Sequence, residues 1–208
     1  MTDLTDSIPG GERLGRQIRF LVETDKLKSV LRRTFVIGAR RYENSAEHSW
    51  QLPLAALILA EYAPGPLDLP RVLKMLLVHD IVEIDAGDTF CYDEEGARDK
   101  AEREGRAAER IFGLLPADQA AEIHGLWSEF EVGATAEARL ANAVDRLMPL
   151  LHNYYTQGGS WQEHGITADR VLVRNAPVGE ASETLGALVR AIVDDAVARG
   201  YLAPAPEG

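Results

Sequence analysis

The stretch Asp68-Leu69-Pro70-Arg71-Val72-Leu73-Lys74-Met75-Leu76-Leu77-Val78-His79-Asp80-Ile81-Val82-Glu83 decides how this chain is read. Val72, Leu73, Leu76 and Leu77 recur at helical spacing, Asp68 is a suitable N-cap, and Gly87 suits a C-terminal stop. The pattern predicts one helix running to about Asp85. Its last turns carry a histidine and two carboxylates on an otherwise apolar element. On a continuous helix His79 and Glu83 share a face, and Asp80 is turned about 100° from His79. Charged groups behind Met75-Leu76-Leu77-Val78 are costly to bury unpaired. Either the helix ends in solvent there, or the three groups serve a site.

The flanking sequence is helical too. Leu14, Ile18, Leu21 and Val22 mark a first amphipathic helix. A basic, irregular stretch from about Leu31 to Glu43 holds Arg32, Arg33, Arg40 and Arg41. Asn44 then caps a helix carrying Trp50, Leu54, Leu57 and Ile58, with Glu47 in capping-box position. Further helices are predicted from about Glu95 to Phe112, from Pro116 to about Phe130, and from Thr135 through Leu140, Val144, Leu147 and Leu151. After Gly158-Gly159 a last helix is expected from about Gly179 to Arg199, followed by a frayed tail, Ala203 to Gly208. No period-two run is bounded by hairpin signals, so no sheet is expected. The expectation is a single all-α domain over residues 1–208, a bundle of about seven to nine helices.

Composition narrows the function. The 208 residues are 46% hydrophobic and 26% charged, which excludes a disordered or fibrous chain. Lysine and arginine number 22 against 33 acidic residues, leaving a formal net charge of −11. That disfavours extended nucleic acid and anionic membrane as partners, but leaves room for a small phosphate ligand at a local cationic cluster. The apolar runs are too short to span a membrane, and the N-terminus lacks a basic-then-apolar leader pattern. The lone Cys91 forms no internal disulfide, so a reducing, cytoplasmic setting is expected.

Two more residues change the weight of the His79-Asp80 pair. His48 sits in the first turn of a predicted helix. Asp145 lies on a helix with core-like neighbours, where it needs a partner: Arg146, Arg139 or a metal ion. Imidazole and carboxylate donors together suit Mn²⁺, Fe²⁺, Co²⁺ or Zn²⁺, and two of each leave octahedral positions open.

His48, then His79-Asp80, then Asp145 resembles the H…HD…D pattern of HD-domain metal-dependent phosphohydrolases. The strings Glu43-Asn44-Ser45-Ala46-Glu47-His48-Ser49, His79-Asp80-Ile81-Val82-Glu83 with Gly87-Asp88, and Val144-Asp145-Arg146-Leu147 are similar to the 5′-deoxynucleotidase subgroup. The resemblance implies an HD-domain helical bundle, its metal-binding core over about residues 10–155 and C-terminal helices over about 165–200 packed on it. It implies one divalent ion on His48, His79, Asp80 and Asp145 (Mn, Co, Fe or Zn, with Mg also possible). It implies hydrolysis of a nucleoside 5′-monophosphate, with Glu83 serving the attacking water and Asp88 near the sugar or leaving oxygen. By its spacing from His48, Arg33 would hold the phosphate, through a bidentate fork; Arg41 is a second candidate for substrate. The resemblance also implies a homodimer.

This chain departs from the subgroup in having Thr34-Phe35, and no tryptophan, after Arg33. Weaker selection of the deoxy sugar is expected. His152, two turns after Asp145, is either a support for the ligands or a core histidine; His124 and His164 read as structural, and the three tryptophans as core. Alternatives are another phosphate ester or a larger nucleotide as substrate, or a non-catalytic metal-dependent binding module. A di-iron oxygenase lacks its ligands, because only His124 lies between Asp80 and Asp145.

Overall fold

A computed structural model describes residues 8–206. The expectations for Met1 to Ser7 and for the last two residues of the tail lie outside them. Among the described residues there are nine helices plus a single helical turn: α1 (Gly11–Thr24), α2 (Ser45–Leu59), α3 (Leu69–Val78), the turn α4 (Glu83–Ala86), α5 (Lys100–Phe112), α6 (Ala117–Val132), α7 (Ala136–Tyr155), α8 (Gly159–Glu163), α9 (Ala168–Ala181) and α10 (Glu183–Ala198). The fold is all-α in class, as the periodicity implies. No helix among the described residues is long and apolar enough to cross a membrane.

The local signals act where the sequence places them. Asn44 Oδ1 accepts from Glu47 N at 2.9 Å while the Glu47 carboxylate accepts from Asn44 N, a complete capping box on α2. Asp68 caps α3, and Thr135 caps α7. The buried faces of α2 (Leu52, Ala56), α3 (Val72, Met75, Leu76), α5 (Ile111, Phe112) and α7 (Leu140, Val144) form one apolar core. A second core joins α7 (Leu147, Leu150) to α9 and α10 through Val171, Leu185 and Val193. α7 thus carries both cores, and Asp145 sits where they meet.

Five expectations need correction. The basic stretch is not irregular: β1 (Leu31–Phe35) and β2 (Tyr42–Asn44) pair antiparallel, with a register irregularity between them. The hairpin connection exceeds a tight turn and its strands are short, so no alternation signal was long enough to read. The helix bearing His79 stops at Val78 and continues as tight i→i+3 turns, Ile81 N to Val78 O and Glu83 N to Asp80 O. α5 begins only at Lys100, because Asp93 Oδ1 accepts from Glu95 N and Gly96 N and holds a turn there. The last predicted helix is two, broken at Ser182, whose extended backbone and side chain cap α10. The tail is tied as far as Ala203, which bridges Thr167.

The apolar stripes of the first two helices point outward. Leu14, Ile18, Leu21 and Val22 are exposed, and α1 buries Gly11, Gly15 and Phe20 instead. Trp50 (68% exposed), Leu54, Leu57 and Ile58 likewise face away from the α2 core, so Trp50 is not a core tryptophan; Trp161 is.

Candidate metal centre

The site is built from five elements. α2 brings His48 and Ser45, the end of α3 brings His79 and Asp80, α4 brings Glu83, α7 brings Asp145, and the β-hairpin brings Arg32 and Glu43. His48 is fully buried, and Glu43, His79, Asp80 and Glu83 are nearly so. The i→i+3 turns after Val78 matter here. At three residues per turn Asp80 and Glu83 eclipse, so both carboxylates face the same way.

The donor atoms converge. His48 Nε2 is 2.9 Å from Asp145 Oδ1, His79 Nε2 is 3.8 Å from the same oxygen, and His79 Nε2 is 3.0 Å from Asp80 Oδ1. One ligand atom from each of His48, His79 and Asp145 falls within 4.8 Å of the others. Donors held about 2.1 Å from one ion are spaced on this scale. His79 Nε2 is buried and has no hydrogen-bond partner despite its nearness to Asp80, while its Nδ1 is fixed on the Leu76 carbonyl at 2.9 Å. A nitrogen oriented from behind and left open in front is what a ligand imidazole requires. Asp145 forms no ion pair with Arg146 or Arg139 among the described residues; these two arginines donate to backbone carbonyls.

The electrostatics agree. Burial alone would lower the His79 pKa, but Asp80 and Asp145 raise it to about 9. Burial would raise Asp145, yet the hydrogen-bonded His48 and the nearby His79 imidazole hold its carboxyl well below the usual range. Burial, reinforced by Asp80, pushes Glu83 well above the usual range, and burial raises Asp88 as well. Too few cations are present for this many carboxylates, a deficit that a divalent ion would remove.

Arg32 answers part of that deficit. Alternation along β1 turns it inward: Nη1 lies 2.9 Å from Asp80 Oδ2, 3.6 Å from Asp88 Oδ1 and 3.9 Å from Glu83 Oε1. Arg33 is exposed and only lines the cavity. Arg41 is outside the site, its guanidinium paired with both oxygens of Glu47. Glu43, which the sequence did not single out, places Oε2 3.4 Å from His48 Nδ1 and 3.7 Å from Arg32 Nε. Ser45 donates to Glu83 Oε2 at 2.6 Å. His152 Nε2 lies 3.1 Å from Gln51 Oε1, which makes it a support behind Glu43. A polar pair just before His48 in sequence, Glu43 and Ser45, is the available signal for two of these.

The centre opens into a cavity of about 120 Å³, lined in part by Arg32, His79, Asp80, Glu83 and Asp88. Cys91 is on its wall, with desolvation raising the thiol pKa.

The HD domain family model matches residues 24–185. Human 5′-deoxynucleotidase HDDC2 is 28% identical over 152 residues, 73% of each chain. 5′-Deoxynucleotidase hdd1 of Schizosaccharomyces pombe is 26% identical over 134 residues, 62% of this chain and 66% of its own. A crystal structure of a "predicted metal-dependent phosphohydrolase" from Magnetospirillum magnetotacticum MS-1 is 54% identical, with a TM-score of 0.88 over 93% of this chain and all of that one. With the match spanning both the β-hairpin and α7, this chain belongs to the HD domain family.

Proposed function

We propose that this chain is a metal-dependent phosphohydrolase that releases phosphate from nucleoside 5′-monophosphates. The observation that carries the reading is the convergence of two imidazoles, two carboxylates and a buried arginine, with His79, Asp80, Asp145 and Arg32 on the cavity wall and His48 buried behind them. Relatives named 5′-deoxynucleotidase support the substrate class.

His48, His79, Asp80 and Asp145 would hold one divalent ion; the mixed nitrogen and oxygen donors suit Mn²⁺, Fe²⁺, Co²⁺ or Zn²⁺. Such an ion acidifies water and offsets phosphate charge. Arg32 supplies N–H donors to the phosphate oxygens from its place beside Asp80, and Arg33 is the second cation at the cavity wall. Glu83, aimed by the Ser45 hydroxyl, takes the proton of the attacking water. The water oxygen bonds to phosphorus as the bond to the nucleoside 5′ oxygen breaks. Asp88, whose pKa burial raises, returns a proton to that leaving oxygen. Water and ester thus become nucleoside and inorganic phosphate.

The outward stripe on α2 supports a homodimer, in which a second copy would cover Trp50, Leu54, Leu57 and Ile58. The single cysteine fits a cytoplasmic setting.

The deciding test is phosphate release from a panel of ribo- and deoxynucleoside monophosphates, each with several added metals. Turnover of monophosphates is the expected result. No release from any of them, with metal bound, would transfer the reading to another phosphate ester.

A further inference from the structure

Asp88 stands on a loop, not on a helix. It follows the α4 turn by two residues, just after Gly87, where the chain turns with a φ of 74°. A glycine at positive φ is at little cost free to adopt other conformations, so Gly87 does not by itself aim the residue after it. The loop runs on through Thr89, Phe90, Cys91 and Tyr92, which line the cavity with Asp88, and rejoins helix at Lys100.

One guanidinium closes this loop on both sides of Asp88. Arg103 of α5 donates through Nη1 to the Ala86 carbonyl, and through Nη2 to Thr89 Oγ1 at 3.2 Å and to the Gly96 carbonyl at 2.9 Å. Its Nε donates to Asp99 Oδ1 at 2.8 Å, which holds the fork in place from its own helix end. Two of the three loop contacts lie two residues before Asp88 and one residue after it. The Asp88 side chain meanwhile places Oδ1 3.6 Å from Arg32 Nη1. Further along, the loop is held independently, by Arg170 of α9 donating to the Tyr92 carbonyl at 3.0 Å. Arg103 itself is not on the cavity wall. Its contacts therefore act on the segment bearing Asp88, and a group remote from the chemistry can still cost about 10²-fold in rate if its loss moves a reacting group by about 1 Å.

We propose that Arg103 is a positioning residue for the hydrolysis: by clamping Ala86, Thr89 and Gly96 it holds Asp88 beside Arg32 and so sets how Asp88 meets the leaving oxygen. The inference rests on the proposed role of Asp88 as the group that returns a proton to that oxygen.

The test is a double-mutant cycle of R103A and D88N on the metal-loaded enzyme, with kcat and KM measured on a nucleoside monophosphate that the wild type hydrolyses. Elemental analysis and melting curves accompany the kinetics. D88N should lose about 10²-fold or more in kcat. R103A should lose about ten- to hundredfold in kcat, with KM and metal content close to wild type. The double variant should be within about threefold of D88N, because Arg103 then has nothing left to position. R103K keeps the charge and loses the fork, so it should remain impaired and show the same non-additivity; it carries the test should R103A not fold. Wild-type kcat in R103A or R103K, losses that multiply in the double variant, or loss of metal in R103A overturns the proposal. If D88N is as fast as wild type, or no monophosphate is hydrolysed, the catalytic reading fails instead. Hydrogen exchange over residues 86–97 still decides the clamp in that case: R103A should speed exchange there and D88N should not, and unchanged exchange in R103A overturns it.

Discussion

Arg32 Nη1 sits 2.9 Å from Asp80 Oδ2, so the guanidinium of the β-hairpin is tied to a carboxylate of the candidate metal centre across 48 residues of chain. Asp88 and Glu83 lie just beyond, at 3.6 and 3.9 Å. The hairpin is therefore part of the site and its charge balance. Burial would lower the Arg32 pKa, but these three carboxylates keep it raised.

The first prediction separates the two neighbouring arginines. R32A should cost at least about 10²-fold in kcat/KM, the scale of losing a charge-assisted contact in a desolvated site. R33A, at an exposed position, should cost less than about tenfold. R32A should also destabilise the fold, because removing one member of a buried ion pair strands the other; the usual cost is about 3–5 kcal/mol. Steady-state kinetics and denaturant melts on both variants check this. A larger loss in R33A than in R32A would return the phosphate role to Arg33.

Glu83 and the ligands should part company under mutation. Glu83 is held by Ser45, and its carboxylate is not needed to complete a set of two histidines and two aspartates. E83Q should retain the metal and lose about 10²–10⁴-fold in kcat, the contribution expected of general acid–base help. H79A and D80A should lose both. Elemental analysis beside kinetics distinguishes the two behaviours, and metal loss in E83Q would make Glu83 a ligand or a structural residue.

Metal removal should show in stability as well as activity. The buried carboxylates lack enough cations in the metal-free chain, and binding to the native state alone stabilises it by about 2.7 kcal/mol at a hundredfold excess over Kd. Chelation should lower the melting temperature of the wild type, and should leave that of H79A nearly unchanged. Equal shifts in the two would place the stabilising ion elsewhere.

How far the sequence could be read follows from what kind of information each residue carries. The four candidate ligands stand out because a histidine or carboxylate on an apolar helix is costly unless used, and the Asn44 capping box fixes where the His48 helix begins. The arginine was harder. In a strand a shift of one residue exchanges the two faces, so counting back from His48 cannot separate Arg32 from Arg33 without the pairing of Leu31 with Asn44. The eclipsed Asp80 and Glu83 depend on a helix that tightens after Val78, which the uninterrupted apolar pattern conceals. The stripes on α1 and α2 were legible as stripes, but periodicity gives the existence of an apolar face, not which side of the helix meets the core.

The last prediction concerns the sugar. Thr34 is on the cavity wall and buried, whereas Phe35 stacks on Tyr42 with ring centroids 4.6 Å apart and packs near Gly159, away from that wall. The side chain following the arginines on that wall is thus a small hydroxyl, with no aromatic ring at this position to crowd a 2′-hydroxyl. A threonine Oγ can also accept a hydrogen bond from that hydroxyl. Deoxy and ribo monophosphates should then differ by less than about tenfold in kcat/KM, because a pocket that merely has room rejects an added hydroxyl weakly. Measured for dGMP against GMP, and again for dAMP against AMP, a ratio of about 10³ or more would correspond to roughly 4 kcal/mol of transition-state discrimination. A ratio of that size would require a crowding group that neither Thr34 nor Phe35 supplies. T34W should then be informative in the opposite sense: by filling the wall it should raise the deoxy-to-ribo ratio, chiefly through lost ribonucleotide turnover, while a ratio unmoved by it would put the sugar against a different face of the cavity.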